Sequence, residues 1–259
     1  MSLRFQLAAT LFSVGLPMMP AAHGQSCTEM LRNAASHRPS YTVSVSELRI
    51  PEKARQHLEK ARATSENNPT IFDRETAQAL AVAPRFAGVY LLRAEHELHL
   101  GHAEAAIEAV AMARQIEPHL SWSYVILASA LNHLHRFREA AAELDRAPRE
   151  EAGTWEAWYE RARTEAGMGN VGAALHFSEL VLGAAPVGCT DAHLLRANAL
   201  QVAGRQPEAL GELETYLALD RRGKHRDEVL AAIARARLAT EQSLPVKTQQ
   251  GDDSLLAMK

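Results

Sequence analysis

The sequence predicts an all-α fold, an α-α superhelical solenoid of about five helix hairpins closed by a capping helix. Three observations carry that prediction. Pro84 and Pro118 stand 34 residues apart and Pro118 and Pro186 stand 68 apart, two steps of the same length. Small residues recur in step with them, at Ala94, Ala128 and Ala162 and again at Ala106, Ala140 and Ala174. The 259 residues are 47% hydrophobic, 23% charged and only 5% aromatic, a composition rich in helix formers and able to bury a core. A fixed period of this length is the signature of stacked helical repeats.

The chain begins with Ser2-Leu3-Arg4, an apolar run from Phe5 to Met19, and small residues at Ala22 and Gly24. This reads as a secretory signal peptide over residues 1–24, cleaved before Gln25. The run is shorter than the ~20 apolar residues of a membrane span and contains Pro17. The expected location is therefore periplasmic or secreted, with no stable membrane span after cleavage. Lipid anchoring through Cys27 is not expected, because Gly24-Gln25-Ser26 lacks the leucine usual three places before a lipidated cysteine.

Residues 25–50 form an irregular polar arm whose one alternating stretch, Tyr41, Val43 and Val45, is too short to anchor a sheet. The solenoid follows over residues 51–240. Its units are about 53–86, 87–120, 121–154, 155–188 and 190–222, with a cap helix at 224–240. In the cap, Val229, Leu230, Ile233 and Leu238 are expected to form the apolar face. A polar tail, 241–259, contains Pro245 and Gly251 and is expected to be disordered. Cys27 and Cys189 are the only cysteines. Spacing leaves their pairing open, and two free thiols are the expectation.

With each unit numbered so that its terminal proline is position 32, the second unit supplies Tyr90, Ala94, Gly101, Ala106 and Ala113 at positions 4, 8, 15, 20 and 27. The third supplies Tyr124, Ala128, Ala140 and Ala147, the fourth Trp158, Ala162, Gly169 and Ala174, and the fifth Ala197, Gly204 and Ala209 after one inserted residue. This pattern resembles the tetratricopeptide repeat. The physical reading is close helix packing: alanine lets helices approach, a bulky residue at position 4 fills the gap between hairpins, and proline ends the second helix. The first unit is degenerate, with Lys60 and Phe72 where small residues are expected. The third lacks its terminal proline; Pro148 and Gly153 signal an early helix end there. The lead-in from Val43 to Ala61 is similar to that of exported bacterial members of the family.

The resemblance implies a protein- or peptide-binding scaffold. In the family the first helix of each hairpin lines a concave groove through positions 2, 5, 9 and 12. The groove residues it implies here are Leu91, Glu95, Trp122, Val125, Asn132, Tyr159, Arg163 and Asn198. Aromatic anchors among hydrogen-bonding groups suit an extended peptide. Leu91, Val125, Tyr159 and Leu194 occupy position 5, so the lysine-based clamp by which some members hold chaperone tails is absent.

Other motifs are weaker. Gly167 to Gly172 matches G-x-G-x-x-G but follows a helix rather than a strand, so no nucleotide site is expected. His96, His99 and His102, with His133 and His135 one repeat later, suggest an alternative: a metal- or pH-responsive patch, with His96, His99 and His133 as candidate ligands and a solvated histidine face as the plainer reading. Arginines recur at position 7 as Arg93, Arg161 and Arg196, either a ladder of cations or stems packed with locally paired heads. The net charge of −3 with no basic stripe excludes nucleic acid as a partner. No nucleophile has a base at a recognisable spacing. The chain is expected to be non-enzymatic, without a cofactor, with a protein or peptide partner and self-association as a further possibility.

Overall fold

The computed structural model describes residues 49–243, apart from 66–67, 121, 186–188 and 221–224. The signal peptide, the rest of the arm, Pro186 and the C-terminal tail lie outside the described residues.

The first hairpin is α1 (Glu52–Thr64) and α2 (Pro69–Val82). Asn68 caps α2 by accepting from the Ile71 amide at 3.1 Å, and Pro69 takes the first helical position, where its missing N–H costs nothing. The second hairpin is α3 (Ala87–His99) and α4 (Ala103–Ile116), and the third is α5 (Ser123–His133) and α6 (Phe137–Arg146). A four-residue helix, α7 (Arg149–Ala152), follows Pro148 and ends at Gly153. The fourth hairpin is α8 (Trp155–Gly167) and α9 (Val171–Ala184), and the fifth is α10 (Asp191–Val202) and α11 (Gln206–Leu219). Helix α12 (Arg226–Ser243) packs on α11.

Within each hairpin the two helices pack along their length, and the first helices touch in sequence, α3 on α5, α5 on α8 and α8 on α10. The described residues are thus a continuous stack of helix hairpins, as the fold class requires. Ala94, Ala106, Ala128, Ala140, Ala162, Ala174 and Ala197 are all fully buried. Position 20 in the first unit is Phe72, also buried, but Lys60 does not fill position 8. Lys60 is exposed and Ala61 is buried in its place. Helix α1 is therefore one residue out of the register of the later units, which is why the 34-residue spacing misplaces its small residue.

The turn inside each hairpin demands a left-handed residue at position 15. Gly101, Gly169 and Gly204 supply it, with φ of 81°, 80° and 74°. The third unit puts His135 there at φ 58°, a conformation costly for a side chain with a Cβ. Gly167 has a different duty. A Cβ there would lie 2.4 Å from the Phe137 ring, so a larger residue would have to displace that ring where α8 packs on α6. The glycines of the G-x-G-x-x-G string thus serve a helical turn and a packing contact.

Position 27 marks how successive units join. Ala79, Ala113 and Val181 are buried there, and the fifth unit places the larger Tyr216 against Val229, Ala232 and Ile233 of α12. In the cap, Leu230 is 42% exposed, contrary to the sequence reading, and Ala232 occupies the buried face. At an end of the stack no further hairpin follows, so one large ring and one helix close the core.

Candidate peptide-binding groove

The groove residues belong to the layer of first helices, and the structure sorts them into three kinds. Leu91 and Val125 are buried in the same apolar cluster as Ala94, Ala106 and Trp122. Their work is joining the second and third hairpins. Asn132 is a polar bolt between the third and fourth. Its side-chain amide donates to the Glu160 carbonyl at 3.1 Å and to Glu160 Oε2 at 2.9 Å, and its Oδ1 accepts from the Thr164 hydroxyl at 3.0 Å. All three residues are buried.

The third kind forms a strip of aromatic and polar groups, of which Trp122 is itself buried in that apolar cluster. Trp122 caps α5 in a left-handed conformation, φ 76°, and its indole N–H donates to Glu95 Oε1 at 3.2 Å, tying α5 to α3. An outlier of this sort is retained only where the surroundings enforce it. On α8, the Arg163 guanidinium lies 5.9 Å from the Tyr159 ring centre and pairs with Glu160 at 3.0 Å. Burial, and after it the charge of Asp191, push the Tyr159 phenol above its usual pKa, so the hydroxyl stays protonated and able to donate. Burial works against the charge of Arg163, but Glu160, Tyr159 and Asp191 together outweigh it and the pKa is held above the usual arginine value. Asn198 is half-buried on α10.

Sequence reasoning missed Glu151. From α7 it accepts from the Val125 amide at 3.4 Å and so places a carboxylate at the N-terminus of α5, where the helix dipole favours it. The insertion after Pro148 is what delivers it. Glu156 and Asp191, at position 2 of their units, are each only 3% exposed. A buried carboxylate is tolerated only when paired or hydrogen-bonded, and neither of these is without a partner.

Of the five histidines expected on a solvated face, His102 and His135 are exposed and His96 is not. His96 is buried and stacks on Phe72, ring centres 4.0 Å apart, filling the space between the first two hairpins. His102 pairs with Glu97 at 2.9 Å, and His135 meets the edge of Phe137 at 5.6 Å. His99 and His133 are half-buried near the ends of α3 and α5. Among the described residues no group of three or more histidine, cysteine, aspartate or glutamate side chains could hold a metal ion. The position-7 arginines are locally paired rather than a free ladder: Arg161 reaches Asp145 at 2.6 Å and Glu165 at 3.0 Å, and Arg196 reaches Glu212 at 3.1 Å, while Arg93 is exposed.

Cys189, expected to be a free thiol, is disulfide-bonded and buried beside Val181 and Ala192. The one other cysteine in the sequence is Cys27, which lies outside the described residues.

Solved structures with the same architecture decide its class. One is a thermophilic tetratricopeptide-repeat protein, TTC0263 of Thermus thermophilus, matched with a TM-score of 0.57 at 18% identity over 71% of this chain and 99% of that one. The fold is a tetratricopeptide-repeat solenoid. A second match is a chain of the APC/C hetero-tetramer Cut9–Hcn1, with a TM-score of 0.65 at 16% identity, covering 91% of this chain and 45% of that one. No family model and no curated protein sequence matches it. No helix among the described residues is long and apolar enough to cross a membrane.

Proposed function

We propose that this tetratricopeptide-repeat protein is a non-enzymatic scaffold that binds a protein or peptide along the face formed by α3, α5, α8 and α10, and that it works after export in a bacterial cell envelope. The observation that carries the reading is the strip itself. Trp122, Tyr159, Arg163 and Asn198, scattered over 77 positions of sequence, are brought to one layer of helices by the repeat geometry. Aromatic rings supply buried area at low entropic cost, while an arginine and an asparagine offer donors and an acceptor to a peptide backbone or terminus. The export half of the proposal rests on the leader pattern in residues 1–24.

Capture tests the binding half. The purified mature chain is used as bait in an envelope extract, beside a variant carrying Trp122→Ala and Tyr159→Ala together. Retention of a bound protein by the parent and its loss by the variant, with helicity at 222 nm unchanged, is the expected result. Undiminished capture by the variant places the contact elsewhere. Fractionation with N-terminal sequencing tests export: the mature chain should begin at Gln25 and leave the cell with the periplasmic or secreted fraction.

A further inference from the structure

In every complete hairpin the small residue at position 8 of the first helix, Ala61, Ala94, Ala128, Ala162 or Ala197, is fully buried where the second helix lies along the first. The last helix departs from that rule. A first helix reaches back to the preceding unit by setting its position 3 beside position 27: Val89 shares a cluster with Ala79, and Ala192 with Val181. Val229 of α12 stands in the same relation to Tyr216, so α12 is the first helix of a further unit, with Val229 at position 3. Leu230 then falls at position 4, where the repeat places its bulky residue, and Ala234 at position 8. Yet Leu230 is 42% exposed, and Ala231 and Ala234 are exposed beside it, because no second helix follows among the described residues. A face shaped to receive a helix stands open at one end of the stack.

We propose that α12 pairs with α12 of a second copy of this chain, antiparallel about a two-fold axis beside Ala231, so that each copy supplies the second helix the other lacks. Charge is the first reason for this occupant. Asp227 and Arg235 are both exposed on the open side of α12, and neither has an ion-pair partner among the described residues, whereas Glu228 is taken up by His225 and Arg237 by Glu214. Ala231 lies midway between them in the sequence. A two-fold axis there sets Asp227 of each copy opposite Arg235 of the other, while parallel pairing in register would set like against like.

The opposite end of the stack gives the second reason. Counted from Ala61, the backward-facing positions 3 and 6 of α1 are Gln56 and Glu59, with Lys60 next to them, and all three are exposed. A polar end of this kind closes a solenoid against further stacking. It offers α12 no apolar surface, so copies do not join head to tail and the contact that remains is isologous. Packing favours the same pair. In the second to fifth hairpins alanine at position 8 is matched by alanine at position 20 of the antiparallel second helix, as with Ala94 and Ala106, both fully buried. Ala231 and Ala234 of two antiparallel copies repeat that small-on-small contact at the usual helix separation of about 8–10 Å, with Leu230 along its flank. A contact of one helix from each copy buries less than the roughly 1,200 Å² of a stable interface, so the dimer is a weak one.

Sedimentation equilibrium of the mature chain between about 1 and 300 μM should show a reversible monomer–dimer equilibrium with a Kd in the micromolar range. Ala231→Glu and Ala234→Glu together, at exposed sites that leave the packing within the chain alone, should keep it monomeric throughout. Asp227→Arg and Arg235→Asp should each raise Kd by about 10-fold or more, and the chain carrying both should return to within about threefold of the parent, since the two charges have only exchanged places. Helicity at 222 nm should be retained in all of these variants. A parent that stays monomeric at the highest concentration overturns the proposal and leaves the open face to another protein or another part of the chain. A dimer indifferent to the paired glutamates, or one weakened further when the two charge reversals are combined, overturns it as well, because the contact then lies elsewhere or runs the other way. None of these changes touches α3, α5, α8 or α10, so the result stands apart from capture with Trp122→Ala and Tyr159→Ala.

Discussion

Replacing Asn132 by alanine separates a bolt between repeats from a reader of peptides. The side chain makes one hydrogen bond to the Glu160 carboxylate and one to the Glu160 carbonyl, and accepts a third from Thr164. Thr164 keeps a second acceptor in the Glu160 carbonyl at 2.8 Å, and the Glu160 carboxylate keeps Arg163. The net loss is then roughly one charge-assisted and one neutral hydrogen bond in a buried site, about 2–4 kcal/mol. For a domain of this size that lowers Tm by about 6–12 °C. Asn132→Asp should be worse than alanine, since it sets a second carboxylate against Glu160 where neither is solvated. Adding Glu160→Gln to Asn132→Asp should recover much of the loss, because donor and acceptor have exchanged sides. Urea denaturation of the four proteins, followed by circular dichroism, provides the comparison. If Asn132→Ala stays within about 0.5 kcal/mol of the parent, the bond network contributes nothing and Asn132 counts again among the ligand-facing residues.

Two further predictions concern the turns and the acid limit of stability. His135→Gly should stabilise the chain by up to about 1 kcal/mol, the relief of a left-handed residue less the greater freedom of glycine in the unfolded chain. Gly169→Ala, whose added Cβ meets nothing within 4 Å, should destabilise by about 1 kcal/mol through conformation alone. Thermal melts that show the opposite order refute the assignment of position 15. At low pH, Glu75 matters: hydrogen bonds from His57 at 2.7 Å and then from Arg74 at 2.9 Å lower its pKa below 4.5. Its contribution is present above pH 4.5 and is lost as pH falls through the lowered folded value, because the unfolded chain takes up the proton first. A Glu75→Gln variant should therefore show a flatter fall of stability below pH 4.5 than the parent, in denaturant melts taken across that range.

Much of this architecture could be read along the chain because its causes are local. A proline ends α2 two residues on, at Pro84, and α4 likewise at Pro118, through its missing N–H and its effect on the residue before it. A buried alanine every 34 residues reports how near two helices can come, and a glycine at position 15 reports one backbone angle. Each requirement is met by a residue type at a place, so sequence displays it. The slip of α1 to Ala61 is the exception, since a degenerate unit carries fewer such marks.

The layer of first helices was legible as a set of positions and not as a set of roles. That Leu91 and Val125 belong to the core, that Asn132 bolts two hairpins together, and that His96 stacks on Phe72 instead of facing water all depend on which neighbouring hairpin lies opposite. Glu151 reaches Val125 from 26 residues away through an inserted helix that no repeat template contains. The bonding of Cys189 likewise needs a second residue whose distance in space has no counterpart in its spacing along the chain. The sequence alone determined the period, the helix ends and the packing distance, because these follow from single residues and their immediate neighbours. Tertiary structure decided which polar groups are buried and what pairs with them, because burial is a property of everything that packs around a residue.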